Sequence, residues 1–407
     1  MSYIAKLKEQ IPPRVNDRLH TLVQSIVKAK ELGRGVVICT GSGPNIHEGI
    51  TTMIAELIQL GVIDGVLTSS AVVAHEMAGA LDRVYRVEGR LLGLDPGLLP
   101  MDERFEVTVI DQETIAQIER EMPVDHELIN KALSLPGDTI IKAAGNMAYP
   151  VGLRTEVIAR DFVDLARTIG LPLETVVGYG ADEHTMLGAG ARKGIPVLVT
   201  VPQLIGGGAV GLSIADAISV TERCARISRL IDSADIIIES AVALTQELHD
   251  GPFETYTGHG IWTAWSGRKT FSLRNKVLAR LDLDPNLEKV WQAQRDNALI
   301  QQAIARGLPK TKITGIPFRM EMSGFARLEN SLPIIGDIGK LWPVLASELA
   351  EALDIDLHFV SAPQETQEGQ EMREWIVENV KIVDRQAVLD NVFELSRSMG
   401  ILTASVK

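Results

Sequence analysis

The 407-residue sequence is poor in cysteine, in aromatic residues and in clustered positive charge, and these shortages exclude several classes of protein. Two cysteines, Cys39 and Cys224, provide neither a disulfide framework nor a metal knuckle. A net charge of −13 without a long basic run argues against a nucleic-acid partner, because phosphate contacts need clustered Lys and Arg. No run of about 18 uncharged apolar residues occurs, and the N-terminus lacks the apolar core of a signal peptide. We therefore expect a cytoplasmic protein with no membrane partner.

Aliphatic residues dominate the apolar content, since 45% of the chain is hydrophobic and only 4% is aromatic. Short buried strands alternate with amphipathic helices, which predicts an α/β fold: a doubly wound, mostly parallel, Rossmann-like sheet. We expect an N-terminal helix in 1–34, a nucleotide-binding core in 35–252, and a C-terminal α/β extension or second subdomain in 253–407. The strands are expected at 35–39, 65–68, 105–110, 137–141, 175–177, 195–199 and 234–238, with a loop at 80–104 and a possible strand at 357–360.

The first predicted strand ends in a glycine-rich turn, which is the best candidate for a phosphate site. The chain runs Thr40-Gly41-Ser42-Gly43-Pro44-Asn45 before a helix. Glycines allow the backbone to approach a ligand, and free N–H groups in a first helical turn attract an anion. The spacing matches neither the dinucleotide fingerprint nor a P-loop, because Ile46 stands where a third glycine would be. The turn indicates a nucleotide site, or else a tight connection that binds nothing.

Three further strand ends carry polar residues or glycines. Thr68, Ser69 and Ser70 are candidate cofactor contacts, although Ser69 or Ser70 could equally cap the next helix. His75 follows them, as a functional residue or as a surface histidine. Asp182, Glu183 and His184 suit proton transfer, or merely the electropositive start of a helix. The run of Gly206, Gly207 and Gly208 indicates close approach to a ligand or another subunit, or a mobile loop.

Two cations between these strand ends, Lys142 and Arg154, suit a substrate carboxylate, which arginine binds in bidentate fashion. Arg154 is equally able to pair with Glu156 or Glu183. No histidine pair has metal-ligand spacing and no Gly-x-Ser-x-Gly elbow occurs, so neither metal chemistry nor a serine nucleophile is predicted.

The order of these motifs resembles that of the deoxyhypusine synthase superfamily, whose members bind NAD. The similar stretches are Gly49 followed by Ile63-Asp64, then Leu67-Thr68-Ser69-Ser70, and Ala191 to Val197. The chain is more similar still to the branch named for lysine-oxoglutarate reductase/saccharopine dehydrogenase, which includes NAD-dependent ornithine cyclodeaminases. That similarity covers roughly residues 35–250, in the segments Ala71 to Glu76, Gly208 to Asp216, and Ala234 to Ile238.

The resemblance implies an enzyme that uses tightly held NAD on a small amino acid or amine. The phosphates are then expected on Gly41 to Asn45 and Gly206 to Gly208, with Ser69 and Ser70 against the cofactor. His75, Asp182 or His184 are expected to move protons, and Arg154 to hold a carboxylate. The resemblance also implies a homo-oligomer such as a tetramer. The Gly/aromatic segment 253–271 is a candidate interface, and packing within the chain explains its composition equally well.

Two departures from the family keep other functions open. Gly339-Lys340 lacks the Trp that precedes the synthase's catalytic lysine, and Gly206 and Gly207 replace two aspartates of the cyclodeaminases. These departures argue against an ornithine-like diamine substrate and do not affect the expectation of a nucleotide. The alternatives are a nucleotide-binding sensor without catalysis, and a cofactor-free lyase or cyclase whose turn at 40–49 binds a substrate carboxylate.

Overall fold

The computed structural model describes residues 3–99, 103–145, 148–201, 207–241, 273, 275–308, 313, 315–316 and 329–398. These residues contain nine strands: β1 (Gly35–Thr40), β2 (Gly65–Ser69), β3 (Leu81–Glu88), β4 (Arg104–Thr108), β5 (Gly137–Ala143), β6 (Val197–Val201), β7 (Ala234–Ser240), β8 (Val277–Asp282) and β9 (Ser331–Ile335).

The helices of the same described residues precede, connect and follow these strands. They are α1 (Tyr3–Gln10), α2 (Pro13–Glu31), α3 (Pro44–His47), α4 (Ile50–Gln59), α5 (Ser70–Met77), α6 (Gly89–Leu92), α7 (Gln112–Glu121), α8 (His126–Ser134), α9 (Val151–Ile169), α10 (Leu173–Gly178), α11 (Met186–Lys193), α12 (Gly208–Ala217), α13 (Val220–Ser233), α14 (Asn286–Asp296), α15 (Ala298–Ala305), α16 (Ile338–Leu353), α17 (Gln367–Asn379) and α18 (Arg385–Ser398). None of them combines the length and apolar character needed to cross a membrane.

The main sheet has six strands in the order β6-β2-β1-β7-β8-β9, and every neighbouring pair is parallel. Counted along the chain, this is the order 3-2-1-4-5-6 of the Rossmann fold. The α/β prediction is confirmed. Strands β8 and β9 come from beyond residue 252, so the C-terminal part of the chain continues the same sheet.

Side chains of the central strands alternate between two apolar layers, as parallel strands covered on both faces require. Val36 and Ile38 of β1 lie in the larger core, with residues of α2, α4, α9 and α16. Val37 and Cys39 lie on the other face, against α13 and α14. The sheet is therefore doubly wound, as predicted.

Successive strands are added first on one side of β1 and then on the other. The chain adds β2 and then β6 on one side of β1, and returns to place β7 on the other side. The registers Cys39↔Glu239 and Thr40↔Ser240 bring the carboxyl ends of β1 and β7 together. Ligands of open α/β sheets bind outside the carboxyl ends at such a switch point.

A second, antiparallel sheet has the order β4-β3-β5. The strands predicted at 105–110 and 137–141 are confirmed as strands, but they belong to this small sheet. The predicted loop at 80–104 is wrong, because it contains β3 and α6. Charged residues such as Arg83 and Arg86 interrupt the apolar alternation that would have predicted β3 from the sequence. Pairing with β4 on one side and β5 on the other stabilises the strand.

Two of the strand predictions are wrong. Residues 175–177 lie within α10, whose preceding Pro172 occupies the N-cap position. Val176 and Val177 are fully buried there, so tertiary packing overrides their β-branched preference. Residues 357–360 form no strand either.

Candidate functional site

The glycine turn after β1 lies at the switch point and leaves donors unpaired. Gly43 has φ 66° and ψ −122°, a conformation that glycine adopts far more readily than other residues. Ser42 and Gly43 are half-buried, and their N–H groups donate to no described residue. Unpaired N–H groups in a turn form a concavity that receives anionic oxygens. The geometry fits a phosphate at Ser42 and Gly43.

Asn45 holds this turn against β7. Its Nδ2 donates to the Ser240 carbonyl at 3.0 Å, and the Ser240 hydroxyl donates to its Oδ1 at 2.6 Å. The indole Nε1 of Trp342 on α16 donates to the same hydroxyl at 2.7 Å. The buried Asn45 amide is thus used to position the turn.

Hydroxyl groups link the ends of β6, β2 and β1. Thr200 Oγ1 donates to the Thr68 carbonyl at 3.3 Å, and Thr68 Oγ1 donates to the Thr40 carbonyl at 2.9 Å. Ser69 Oγ accepts the Val72 N–H at 3.4 Å and caps α5, which Ser70 begins. These hydroxyls align the carboxyl edge of the sheet, and Ser69 has the cap geometry that the sequence left open.

The tautomer of His75 on α5 follows from its hydrogen bond. Its Nδ1 lies 2.7 Å from the Ala144 carbonyl oxygen. Because a carbonyl only accepts, Nδ1 carries the proton and Nε2 carries a lone pair. Burial lowers the pKa of His75, the Lys142 charge lowers it further, and the Ala144 bond opposes both. His75 is therefore a neutral base, and Nε2 has no partner among the described residues.

Four side chains, which we call the cationic cluster, gather beside the end of β5: His47, His75, Lys142 and Arg373. The Arg373 guanidinium on α17 donates through Nη2 to the Ile141 carbonyl, next to Lys142 and three residues from the His75 contact. His47 ends α3, directly after the glycine turn. Burial lowers the pKa of His47, and the charges of Arg373 and Lys142 lower it further.

Carboxylates neutralise this cluster only in part. Glu106 accepts a hydrogen bond from Lys142 Nζ. Glu48, beside His47, is buried and accepts the Gln364 N–H at 2.7 Å. Burial raises the pKa of Glu48 to about 7, helped by Asp337 and Glu365 and opposed by the Gln364 bond and Arg373. Near neutral pH the cluster thus retains positive charge and suits an anionic group.

Arg154 is committed to a partner within the protein. Its side chain is fully buried, and Nε and Nη2 donate to the two Glu121 oxygens at 2.7 and 3.0 Å. Nη2 also donates to the Val383 carbonyl at 2.7 Å. Glu121 is the partner, rather than the predicted Glu156 or Glu183. A substrate carboxylate would have to displace this bidentate pair.

Asp182 and His184 form a pair in the turn between α10 and α11. Asp182 Oδ1 accepts from the His184 N–H at 2.9 Å and lies 2.8 Å from its Nδ1, while Oδ2 accepts the Lys381 N–H at 3.0 Å. The His184 ring packs edge-on against Trp375. Because residues 175–177 are helical, this pair does not follow a strand of the sheet.

The start of α12 already holds a protein carboxylate. Glu156 Oε1 accepts the Ala209 N–H at 3.3 Å, and a Cβ on Gly208 would lie 2.2 Å from the same oxygen. Gly207 and Gly208 therefore allow Glu156 to approach the backbone. Gly206 and the 253–271 segment lie outside the described residues.

The sequence analysis missed His47, Glu48 and Arg373. His47 and Glu48 follow the glycine turn directly, so their position was a usable signal. No signal in the sequence pointed to Arg373, because only the packing of α17 on β5 brings this residue to the cluster. A cavity of about 510 Å³, lined by Asp64, Pro196 and Arg229 among others, lies at the amino ends of β2 and β6, away from these residues.

No protein-family model matches the chain, and no curated protein is significantly similar. Among solved structures, a conserved putative LOR/SDH protein from Methanococcus maripaludis S2 is 13% identical with a TM-score of 0.37, covering 87% of this chain and 70% of that one. ArgZ, an arginine dihydrolase from the cyanobacterial ornithine-ammonia cycle, is 13% identical with a TM-score of 0.40 over 84% of this chain. AgrE in complex with ornithine and NAD⁺ is 13% identical with a TM-score of 0.38 over 84%. The chain spans about a third of the length of ArgZ and AgrE, at 32% and 34%. Similarity of this extent assigns neither ligand nor reaction.

Proposed function

We propose that this chain is an NAD-dependent enzyme that acts on a small amino acid or amine. The observation that carries the proposal is the 3-2-1-4-5-6 strand order, with the glycine turn at its switch point. Ser42 and Gly43 would hold a phosphate through their unpaired N–H groups, on a turn that Asn45 holds against β7.

NAD, when bound, supplies a hydride acceptor for the carbon that bears the amine. The protein supplies the base: Nε2 of His75 takes a proton from the substrate amine, while Nδ1 stays bonded to Ala144. The cationic cluster orients an anionic group of the substrate beside that base. An oriented base whose Nε2 has no partner among the described residues supports an enzyme over a nucleotide-binding sensor, which needs no base.

The first experiment is acid denaturation of freshly purified protein, followed by mass spectrometry of the released small molecules. NAD in near-stoichiometric amount is the expected result. Calorimetric titration with NAD and with NADP follows, because β2 ends in Ser69, with Ser70 after it, rather than in the acid that pairs with the ribose diol. Absence of nucleotide, together with no binding on titration, would overturn the proposal and favour a cofactor-free lyase or a binding protein.

A matched glycine pair tests the turn itself. Gly43 and Gly33 follow and precede β1, have φ of 66° and 64°, and leave open space for a Cβ. Gly43→Ala is expected to weaken NAD binding at least tenfold, because the turn must rearrange. Gly33→Ala should also cost stability, because its φ is positive, and should leave NAD affinity unchanged. Equal NAD affinity in both variants would place the phosphate elsewhere.

A further inference from the structure

Resting on the proposed function, we propose that Arg373 is a specificity-determining residue that recognises a carboxylate of the substrate. The site would then bind an amino acid in preference to the amine that lacks its carboxylate. The proposal depends on the hydrogen bonding of Arg373, its position relative to His75, and the pairing of the neighbouring cation.

Arg373 lacks the direct carboxylate partner that comparable arginines have. Arg154 and Arg223 are buried and each pairs with a glutamate, Glu121 and Glu174 respectively. Arg373 instead donates through Nη2 to the Ile141 carbonyl, and its Nε is buried without a partner. Within the described part of the chain, no carboxylate lies within ion-pair distance of its guanidinium. Arg373 is partly buried, and its planar guanidinium matches a carboxylate, which it can bind in bidentate fashion.

The position of Arg373 places this anion site beside the base. Arg373 and His75 reach the end of β5 from different helices, α17 and α5, and contact the carbonyls of Ile141 and Ala144. Lys142 lies between these contacts, but its ammonium group is already bonded to Glu106. Among the described residues, Arg373 is therefore the cation of the cluster that has no carboxylate within ion-pair distance, and Glu48 and Glu374 are the acidic groups that act on it from further away.

A nucleotide phosphate has the same anionic chemistry, and the NAD affinity of the variants distinguishes the two ligands. The glycine turn follows β1 of the main sheet, whereas Arg373 donates to a carbonyl of β5 in the small sheet. We assign the phosphate to the turn and the substrate carboxylate to Arg373.

The test compares ligands that differ only in a carboxylate: ornithine against 1,4-diaminobutane, and lysine against 1,5-diaminopentane, with glycine and alanine added. Binding is measured by calorimetry, with and without NAD, on the full chain. The variants are Arg373→Gln, Arg373→Lys and Arg83→Gln. Arg83 is the control because it also ties α17 to the small sheet, through Glu374, without belonging to the cluster.

We expect the unaltered protein to bind at least one of the amino acids more tightly than the matched amine. Arg373→Gln should weaken that amino acid about 10- to 100-fold, as loss of a hydrogen bond between charged groups does. Arg373→Lys should recover part of the affinity, and Arg83→Gln should leave it unchanged. NAD affinity should be the same in all four proteins, and thermal melting reports whether each variant folds.

Four results would overturn the proposal. Loss of NAD affinity in Arg373→Gln would assign the anion site to the nucleotide. An equal loss for amino acid and amine would give Arg373 a purely structural role. Unchanged amino-acid affinity, or no amino-acid binding by the unaltered protein, would refute it directly. Absence of NAD binding by the unaltered protein contradicts the proposed function instead, and the titrations without NAD distinguish that case.

Discussion

Asn45 and Ser240, 195 residues apart in the chain, exchange two hydrogen bonds at the carboxyl edge of the sheet. Through them the turn that follows β1 is joined to the last residue of β7. Trp342 secures the arrangement from α16 by donating to the same Ser240 hydroxyl. The candidate phosphate turn is therefore held by β7 and α16, which are both distant from it in sequence. Its rigidity depends on a few buried polar atoms.

The exchange between Asn45 and Ser240 predicts the effect of Asn45→Asp. The aspartate can still accept from the Ser240 hydroxyl, but its second oxygen would face the Ser240 carbonyl instead of donating to it. We expect a loss of about 2–3 kcal/mol in the free energy of unfolding, measured in urea. Asn391→Asp is the control, because Asn391 also donates to backbone carbonyls but is exposed. Similar small losses in both variants would show that the buried exchange is not important for stability.

The lone pair on His75 Nε2 predicts a specific defect in His75→Asn. The asparagine amide retains a donor for the Ala144 carbonyl and lacks the Nε2 base. We expect turnover to fall about 10²- to 10⁴-fold, with NAD affinity unchanged. His126→Ala, which alters an exposed histidine paired with Glu119, should leave turnover unchanged. Full activity of His75→Asn would remove His75 from the reaction.

The lowered pKa of His75 predicts the acidic limb of the pH profile. Burial favours the neutral ring, so the base form should persist below the ordinary histidine value of 6.5. In the free enzyme, kcat/KM should rise with pH through an apparent pKa below 6.5 and level off before neutrality. An acidic limb centred above pH 7 would contradict this assignment.

The raised pKa of Glu76 predicts how the free energy of unfolding varies with pH. Burial raises its pKa from 4.5 to about 7, although the Met186 and Leu187 N–H groups, both at 3.0 Å, lower it. Between pH 4.5 and 7 the folded chain binds more protons at this site than the unfolded chain. Glu76 therefore makes the free energy of unfolding fall as pH rises through this window, by up to about 1.4 kcal/mol per pH unit.

The variant Glu76→Gln tests this contribution. It should be less stable at pH 5, because its NH2 group would face one of the two N–H donors, whereas the protonated carboxyl group keeps an oxygen at both positions. Its stability should also vary less between pH 5 and 7. Urea unfolding at pH 5, 6, 7 and 8 measures both effects. Glu113→Gln, an exposed substitution in the first turn of α7, should reproduce the original slope. An unchanged slope in Glu76→Gln would assign the titration to other groups.

The close approach of Gly208 to Glu156 predicts a steric cost. Gly208→Ala would place a Cβ 2.2 Å from Glu156 Oε1, at a φ of +53°. Gly194 has a φ of +67° with open space around it, so Gly194→Ala should show the backbone cost alone, about 1 kcal/mol. We expect Gly208→Ala to cost about 2 kcal/mol in urea unfolding, the backbone cost plus the loss of the Ala209 hydrogen bond, because the end of the Glu156 side chain must move away. In a Glu156→Ala background the difference between the two glycine variants should largely disappear; if it persists, backbone strain is its cause.

Much of the parallel sheet could be predicted from the sequence, and the small sheet could not. The strands at β1, β2, β6 and β7 are short apolar runs whose residues are buried whichever neighbour they have. β3 carries Asp82, Arg83 and Arg86 among its apolar residues, so its pattern is ambiguous until β4 and β5 pair with it. The same context dependence makes residues 175–177 helical, because Pro172 and the surrounding core favour a helix there.

For the candidate site, the sequence by itself determined the glycine turn, since a φ of 66° at Gly43 is a local backbone requirement that only neighbouring residues set. It also determined that His75 follows β2 by a short helix, near the same edge of the sheet. The tertiary structure alone decided the protonation of His75, because the Ala144 carbonyl that accepts from Nδ1 is 69 residues away. It also decided which arginine has a bidentate carboxylate partner: Arg154 meets Glu121, whereas Arg373 reaches β5 from 232 residues beyond Ile141 and donates to its carbonyl. Pairing between residues so far apart depends on how helices pack, and no local pattern records it.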